Sequence, residues 1–82
     1  MTGTDRNQPA HVVDVRGAYC PVPIIETARA VKKVEIGEIV RVVATDPGVE
    51  SDMPAWCKAT GNELIEITRR EGFIESLVRR QR

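Results

Sequence analysis

Cys20 is the residue whose type and position offer the clearest chemistry. It lies in the stretch Arg16-Gly17-Ala18-Tyr19-Cys20-Pro21-Val22-Pro23, where a predicted strand gives way to a predicted helix. Proline suits the first helical position, because its missing N–H has no partner there and its φ is already helical. Pro21 therefore predicts Cys20 as the N-cap. Pro21 and Pro23 have no N–H, which leaves the N–H groups of Val22 and Ile24 to face the sulfur.

Magnitudes decide how far the helix alone activates this thiol. A free cysteine titrates near ~8.5, and helix N-termini are among the surroundings that lower this pKa to roughly 3.5–7.5. Ionising half of the thiol at neutral pH requires the thiolate to be stabilised by about 2 kcal/mol, whereas a helix dipole supplies about 0.3–1 kcal/mol. Direct N–H···S hydrogen bonds or a cation must add the rest, and Arg16 is the candidate cation by its distance in sequence. The alternative is a small buried cap, although Ser, Thr, Asp and Asn are the preferred caps.

Length and composition limit the classes of function. The 82 residues predict one domain with a single small core. Twelve basic and twelve acidic side chains give zero net charge, which argues against nucleic-acid binding by the whole surface. Two cysteines make no disulfide framework, and one histidine with two distant cysteines argues against a protein-only zinc site. We therefore expect a cytoplasmic protein with no membrane segment, no metal and no dissociable cofactor.

Hydrophobic periodicity predicts six elements in the order βαβαββ. Residues 1–10 are polar and are predicted to be a flexible leader, followed by a single domain over 11–82. This order predicts an α/β (α+β) two-layer sandwich, in which a mixed four-stranded sheet has two helices on one face. The predicted strands are 11–15, 38–45, 63–70 and 73–80, and the predicted helices are 21–34 and 49–60.

The two predicted helices each have an apolar stripe. In the first, the predicted buried residues are Ile24, Ile25, Ala28, Val31 and Val34, while Arg29, Lys32 and Lys33 lie off the stripe. These three cations form either a solvated face or a docking rim beside the thiol. In the second helix Cys57 lies on the apolar stripe, which predicts a buried, inert thiol, with a resolving or relay cysteine as the alternative.

Elimination narrows what Cys20 can do. A cysteine that transfers acyl or phosphoryl groups needs a histidine base or an anion cradle, and His11 is the only histidine. A redox dithiol requires a second cysteine three residues on, where this chain has Pro23. The chemistry that remains is the carriage of sulfane sulfur as a persulfide, a displacement at sulfur that needs access and a stabilised thiolate.

The chain resembles the TusA/SirA family of small sulfur-carrier proteins. The resemblance covers nearly everything from Val12 to Arg80, and the Cys-Pro-x-Pro box before a helix is its most specific part. Its motifs are Asp14-x-Arg16-Gly17-x-x-Cys20-Pro21-x-Pro23, Asp46-Pro47, Asp52-x-Pro54-x-x-Cys57 and Gly61-x-Glu63-Leu64.

The resemblance implies that Cys20 accepts sulfur and passes it on as a stoichiometric relay. The donor would be a cysteine desulfurase or a rhodanese-type protein, and the acceptor a protein with a reactive cysteine, such as a DsrE-like protein. The sulfur would serve tRNA thiolation, cofactor assembly or sulfur oxidation. Motif positions that would support the persulfide are Arg16, Gly17, Pro21, Val22, Pro23 and Ile24.

Two other functions stay open at this stage. One is a non-catalytic regulatory module that uses the Cys20 loop only for docking. The other is RNA binding through arginines of the C-terminal hairpin, which equally suit the protection of a sheet edge. Aromatic residues do not alternate with them to stack bases, so we expect no direct nucleic-acid partner. The arginines concerned are Arg69, Arg70, Arg79, Arg80 and Arg82.

Overall fold

The computed structural model describes residues 8–82 as two layers, a four-stranded sheet and two helices. The strand order is β1-β2-β4-β3, in which β1 and β2 are parallel and the other neighbours antiparallel. This is the predicted βαβαββ sandwich. The elements are β1 (Pro9–Val15), α1 (Val22–Val31), β2 (Ile39–Ala44), α2 (Val49–Thr60), β3 (Glu63–Arg70) and β4 (Phe73–Arg79).

The predicted element bounds hold best near the C-terminus. Helix α2 and strand β3 have the predicted ends, and Gly72 forms the predicted turn after β3 with a φ of 85°, a conformation that favours glycine. Strand β1 begins at Pro9, so the predicted leader is two residues too long. Residues 1–7 of that leader lie outside the described residues. No helix within 8–82 is long and apolar enough to cross a membrane.

The core lies between the helices and one face of the sheet. Strand β2 is central because five of its six residues are apolar and most are β-branched, so both of its faces can be buried. Helix α1 packs on β1 and β2, and α2 packs on β3 and β4. Buried residues of this core include Val13, Val15, Ala30, Val40, Val42, Met53, Ile74 and Val78.

Helix α1 is shorter than predicted and buries a different set of side chains. It ends at Val31, and Val34 is buried beyond the helix, because an apolar spacing marks burial rather than helical backbone. Ile25 was wrongly predicted to be buried and is 43% exposed. Thr27 takes its place in the core, with its hydroxyl donating to the Pro23 carbonyl oxygen at 2.7 Å.

Helix α2 runs unbroken through Pro54, although proline lacks an N–H and is disfavoured in a helix interior. Its first turn is tightened: the Ser51 and Asp52 N–H groups both donate to the Gly48 carbonyl, at 3.1 and 2.9 Å. Met53 and Cys57 are both buried in the core, as the apolar stripe of this helix predicts for Cys57. The helix ends at Gly61, whose φ of 79° closes it in the left-handed conformation.

The sheet face away from the helices carries an ionic network. Arg41 on β2 and Arg70 on β3 both donate to the Glu75 carboxylate on β4. These hydrogen bonds lower the pKa of Glu75, with Arg41 the larger cause. Ile39 and Val43, which share this face of β2 with Arg41, are also buried. The sheet face away from the helices is therefore covered by ion pairs, not by a third layer of helices or strands.

Two buried hydroxyls make a matched prediction on stability. Within residues 8–82, the Ser76 hydroxyl is buried without a hydrogen-bond partner, whereas that of Thr27 has one. Ser76→Ala removes an uncompensated polar group and is expected to raise the free energy of unfolding by about 1 kcal/mol. Thr27→Val removes a formed hydrogen bond and is expected to lower it by about 1 kcal/mol. Urea unfolding of both variants measures this, and equal signs would contradict it.

Candidate functional site

The candidate site lies at the edge of the sheet where β1 and β2 end. Parallel strands bring their carboxyl ends to the same edge, so the loop after β1 meets the loop after β2. Residues 16–21, which we call the cysteine loop, follow β1 and contain Cys20. Ala44 pairs with Ile74, so the hairpin turn between β3 and β4 lies at this edge too. The cysteine loop therefore lies at one end of the sheet.

The start of α1 differs from the predicted cap. Pro21 is the N-cap and Val22 the first helical residue, so Cys20 lies one residue before the N-cap, and the Cys20–Pro21 peptide is cis. The predicted amide donors are engaged elsewhere, because the chain makes a tight turn here. The Val22 N–H donates to the Tyr19 carbonyl at 2.9 Å and the Ile24 N–H to the Pro21 carbonyl at 3.2 Å.

Arg16 is also engaged elsewhere. Its guanidinium donates to both carboxylate oxygens of Asp14, at 2.9 and 2.7 Å, and its backbone N–H donates to the same carboxylate at 3.2 Å, because the chain turns directly after β1. This pairing lowers the pKa of Asp14 to about 2. The predicted role of Arg16 as a cation beside the sulfur is therefore not supported by its partner in the structure.

Two side chains of the β2–α2 region hold the cysteine loop in place. Asp46 accepts the Cys20 N–H at 2.8 Å through one carboxylate oxygen and the Gly48 N–H at 3.0 Å through the other. Thr45 accepts the Gly17 N–H at 2.8 Å through its hydroxyl. Gly17 itself has a φ of 85°, which lets the chain turn sharply after β1. The loop is thus fixed by contacts across the two strand ends.

The thiol of Cys20 faces acidic rather than basic groups. Interaction with the Asp52 carboxylate is the largest cause that raises the pKa of Cys20, and desolvation and the charges of Asp52 and Asp46 act in the same direction. The sequence predicted the opposite direction, because it assigned amides and Arg16 to the sulfur. Desolvation and neighbouring anions both disfavour a thiolate.

Cys20 is exposed, and so are its apolar neighbours. Tyr19 is 76% exposed, and Val22 and Ile25, three residues apart on α1, are each about two-fifths exposed. Large apolar side chains in water next to a reactive group are typical of a surface that another protein covers. The thiol is therefore reachable by a macromolecule as well as by a small one.

The predicted docking cations are exposed but lie toward the other end of α1. Arg29 is in the last turn and pairs with Glu26 at 3.1 Å, and Lys32 is the C-cap. The helix has 10 residues, so its two ends are about 15 Å apart. Arg29, Lys32 and Lys33 therefore do not form a rim immediately beside the sulfur.

The hairpin arginines divide between two ends of the sheet. Arg69 and Arg70 lie near the hairpin turn at the Cys20 edge, and they pair with Glu50 and Glu75. Arg79 pairs with Glu63 near the opposite edge, where β2 begins. Arg80 donates to the Val34 carbonyl at 2.7 Å. Arginines that are divided between two ends of the sheet, three of them in ion pairs, suit the protection of edge strand β3 better than a continuous phosphate-binding patch.

Cys57 is buried, as its position on the apolar stripe predicts. It is 3% exposed and belongs to the core cluster. Desolvation by burial raises the pKa of its thiol to about 11. A thiol in these surroundings is a poor nucleophile at neutral pH.

Asp46 and Asp52 are site residues that sequence reasoning missed. Both belong to motifs that supported the family resemblance, but no role was attached to them. The signal was available in the topology, because the loop after a second parallel strand must lie beside the loop after the first. Asp46 comes two residues after the end of β2, and Asp52 lies in the first turn of α2, the next helix.

The fold and the site together define a small α/β protein that presents an exposed thiol from the loop between its first strand and first helix. The family model described as sulfurtransferase TusA matches residues 11–80. The chain therefore belongs to the TusA family.

Individual relatives agree with this assignment. A protein of Archaeoglobus fulgidus, named as a candidate sulfur carrier, is 41% identical over 69 residues, covering 84% of this chain and 94% of its own. The sulfur carrier protein TusA of Allochromatium vinosum is 35% identical over 68 residues, covering 83% of this chain and 90% of its own.

A solved structure confirms the fold. The crystal structure of a SirA-like protein from Desulfitobacterium hafniense superposes with a TM-score of 0.75, at 22% identity. The match covers 88% of this chain and 99% of that one, so the similarity extends over the whole two-layer sandwich.

Proposed function

We propose that this protein is a sulfur carrier that accepts sulfane sulfur on Cys20 as a persulfide and relays it to an acceptor protein. The observation that supports this most directly is the exposure of Cys20 in a chain of the TusA family. Transfer of sulfur between thiols is a displacement at sulfur, so it needs an accessible attacking sulfur and little further machinery. No metal or dissociable cofactor is required for that step.

The relay consists of two displacements of the same kind. In the first, the Cys20 sulfur attacks the outer sulfur of a donor persulfide, and the donor cysteine leaves as a thiol. In the second, an acceptor cysteine attacks the outer sulfur now held on Cys20, and Cys20 leaves. Each protein molecule thus holds one sulfur at a time, which makes it a stoichiometric relay.

The donor and acceptor are proposed to be proteins. A cysteine desulfurase or a rhodanese-type protein would supply the sulfur, and a protein with a reactive cysteine, such as a DsrE-like protein, would take it. The exposed apolar side chains of Tyr19, Val22 and Ile25 beside the thiol offer such partners a contact surface. The sulfur would then serve tRNA thiolation, cofactor assembly or sulfur oxidation in the cytoplasm.

Loading of the wild-type protein tests this function. The protein is incubated with a cysteine desulfurase and cysteine, or with a rhodanese and thiosulfate, and its intact mass is then measured without reductant. We expect a gain of one sulfur atom that disappears on treatment with dithiothreitol. Peptide mass spectrometry should place it on the peptide that contains Cys20. Sulfur on the Cys57 peptide, or no gain with either donor, would contradict the proposal.

A further inference from the structure

The backbone of the cysteine loop is held at two points by side chains from a distant part of the chain. The Gly17 N–H donates to the Thr45 hydroxyl at 2.8 Å, and the Cys20 N–H donates to an Asp46 carboxylate oxygen, also at 2.8 Å. These bonds join residues that are 28 and 26 positions apart in sequence. Thr45 and Asp46 follow each other directly after β2, so one short segment holds both ends of the Gly17–Cys20 stretch.

The Asp46 carboxylate is itself fixed in orientation. Its other oxygen accepts the Gly48 N–H at 3.0 Å, so the carboxylate cannot rotate without losing one of its two hydrogen bonds. These bonds lower the pKa of Asp46, with Gly48 the larger cause, so the side chain is an anion at neutral pH. Hydrogen bonds to an anionic acceptor are shorter and stronger than those to a neutral one. Asp46 is therefore a rigid support for the Cys20 backbone.

Burial does not account for these two contacts. Gly17, Tyr19 and Cys20 are exposed, and so is Thr45. An exposed N–H group can bond to water instead of to a side chain, and loops with few buried contacts are usually mobile. Two side-chain acceptors on such a loop restrict the positions that the thiol can take. This restriction matters for a displacement at sulfur, because the reacting atoms must be aligned within a narrow range.

From this geometry we infer that Thr45 and Asp46 are positioning residues, which hold Cys20 where its sulfur can attack a persulfide presented by a docked donor protein. The inference rests on the proposed function, because it concerns the same transfer. In that step the Cys20 sulfur bonds to the outer sulfur of the donor persulfide as the donor's own S–S bond breaks. The proton of Cys20 ends on the departing donor sulfur, so one S–S bond replaces another without net oxidation. Thr45 and Asp46 form no covalent bond in the step.

Thr45→Val tests the positioning role without a change of charge. Valine keeps nearly the same shape but offers no acceptor to the Gly17 N–H. With a cysteine desulfurase and cysteine as donor, we expect the maximal rate of sulfur loading to fall about tenfold, because small misplacements of a reacting group are costly. The donor concentration at half-maximal rate should change little, whereas loss of a mere docking contact would raise it. Thr45→Ser keeps the hydroxyl and should load at close to the wild-type rate.

Asp46→Asn tests the second hydrogen bond, and in this variant charge and position act in opposite directions. Asparagine can accept one of the two N–H groups but not both, because its other terminal group is a donor. Removal of the negative charge favours the thiolate of Cys20. Iodoacetamide, a small neutral reagent, should therefore alkylate Cys20 at least as fast as in wild type. Loading by the protein donor at saturation should nevertheless be about tenfold slower.

Two variants away from the cysteine loop provide the controls. Thr68→Val removes a hydroxyl of β3 that donates to Glu66. Glu50→Gln removes a carboxylate of α2 that pairs with Arg69. Both variants should load sulfur at the wild-type maximal rate, and circular dichroism verifies that every variant is folded.

Exchange of backbone amides with water, measured by NMR, separates this inference from the proposed function. The Gly17 amide should exchange faster in Thr45→Val than in wild type, and the Cys20 amide faster in Asp46→Asn. Unchanged exchange, wild-type maximal rates in both variants, or equal slowing in the controls would overturn the positioning role even if Cys20 carries sulfur. No loading of wild-type protein would contradict the proposed function, and amide exchange would still decide whether these side chains hold the loop.

Discussion

Cys20→Ser is expected to abolish sulfur loading completely. A serine hydroxyl cannot form a persulfide, and the other thiol of the chain, Cys57, is buried with a pKa of about 11. No other sulfur nucleophile among residues 8–82 is exposed. The intact mass of this variant should therefore show no added sulfur under conditions in which wild type is loaded.

The matched control for this variant is Cys57→Ala. It removes the buried thiol without placing a hydroxyl in the core, and it should load sulfur to the wild-type extent. Equal loading of the two variants would refute the assignment of Cys20. The same pair separates the carrier from a purely regulatory module, because a docking module would keep its cellular activity in Cys20→Ser.

Met53→Ala is expected to produce the largest loss of stability among single core truncations. Met53 has no exposed surface and lies in the core cluster between α2 and the sheet. Truncation of a buried methionine to alanine costs about 2–5 kcal/mol, through lost burial and the cavity left behind. A domain of this length is stable by only about 4–12 kcal/mol. Urea unfolding followed by circular dichroism should show a large fall in the midpoint.

Two variants in the same helix define the baseline for Met53→Ala. Met53→Leu nearly conserves the volume and should cost less than about 1.5 kcal/mol. Lys58→Ala changes an exposed side chain and should stay within about 0.5 kcal/mol of wild type. A loss below about 1 kcal/mol for Met53→Ala would show that the core collapses around the missing side chain.

Local sequence patterns were sufficient to predict the order of the helices and strands. Gly61 and Gly72 mark the end of α2 and the hairpin turn, because each adopts a positive φ that few other residues accept. Apolar residues on both faces of β2 are typical of a central strand that is buried on both sides. The end of α1 was misplaced because Val34 continues the apolar spacing after the helical hydrogen bonds have stopped.

Local sequence patterns could not predict which groups surround Cys20. The sequence left a buried cap open for Cys20, and the neighbours of the thiol depend on which strands pair. Asp46 is 26 residues from Cys20 and yet accepts its N–H. Arg16 is four residues away and pairs with Asp14 instead. Distance along the chain was therefore a poor guide to the sign of the charge at the sulfur.

One carboxylate connects the thiol to the second helix. Asp46 bonds the backbone of Cys20 on one side and that of Gly48, the N-cap of α2, on the other. A partner that draws the cysteine outward must therefore either break this tether or tilt α2 at its first turn. Displacement of the cysteine loop would in this way be coupled to the orientation of a helix whose own side chains build the interior.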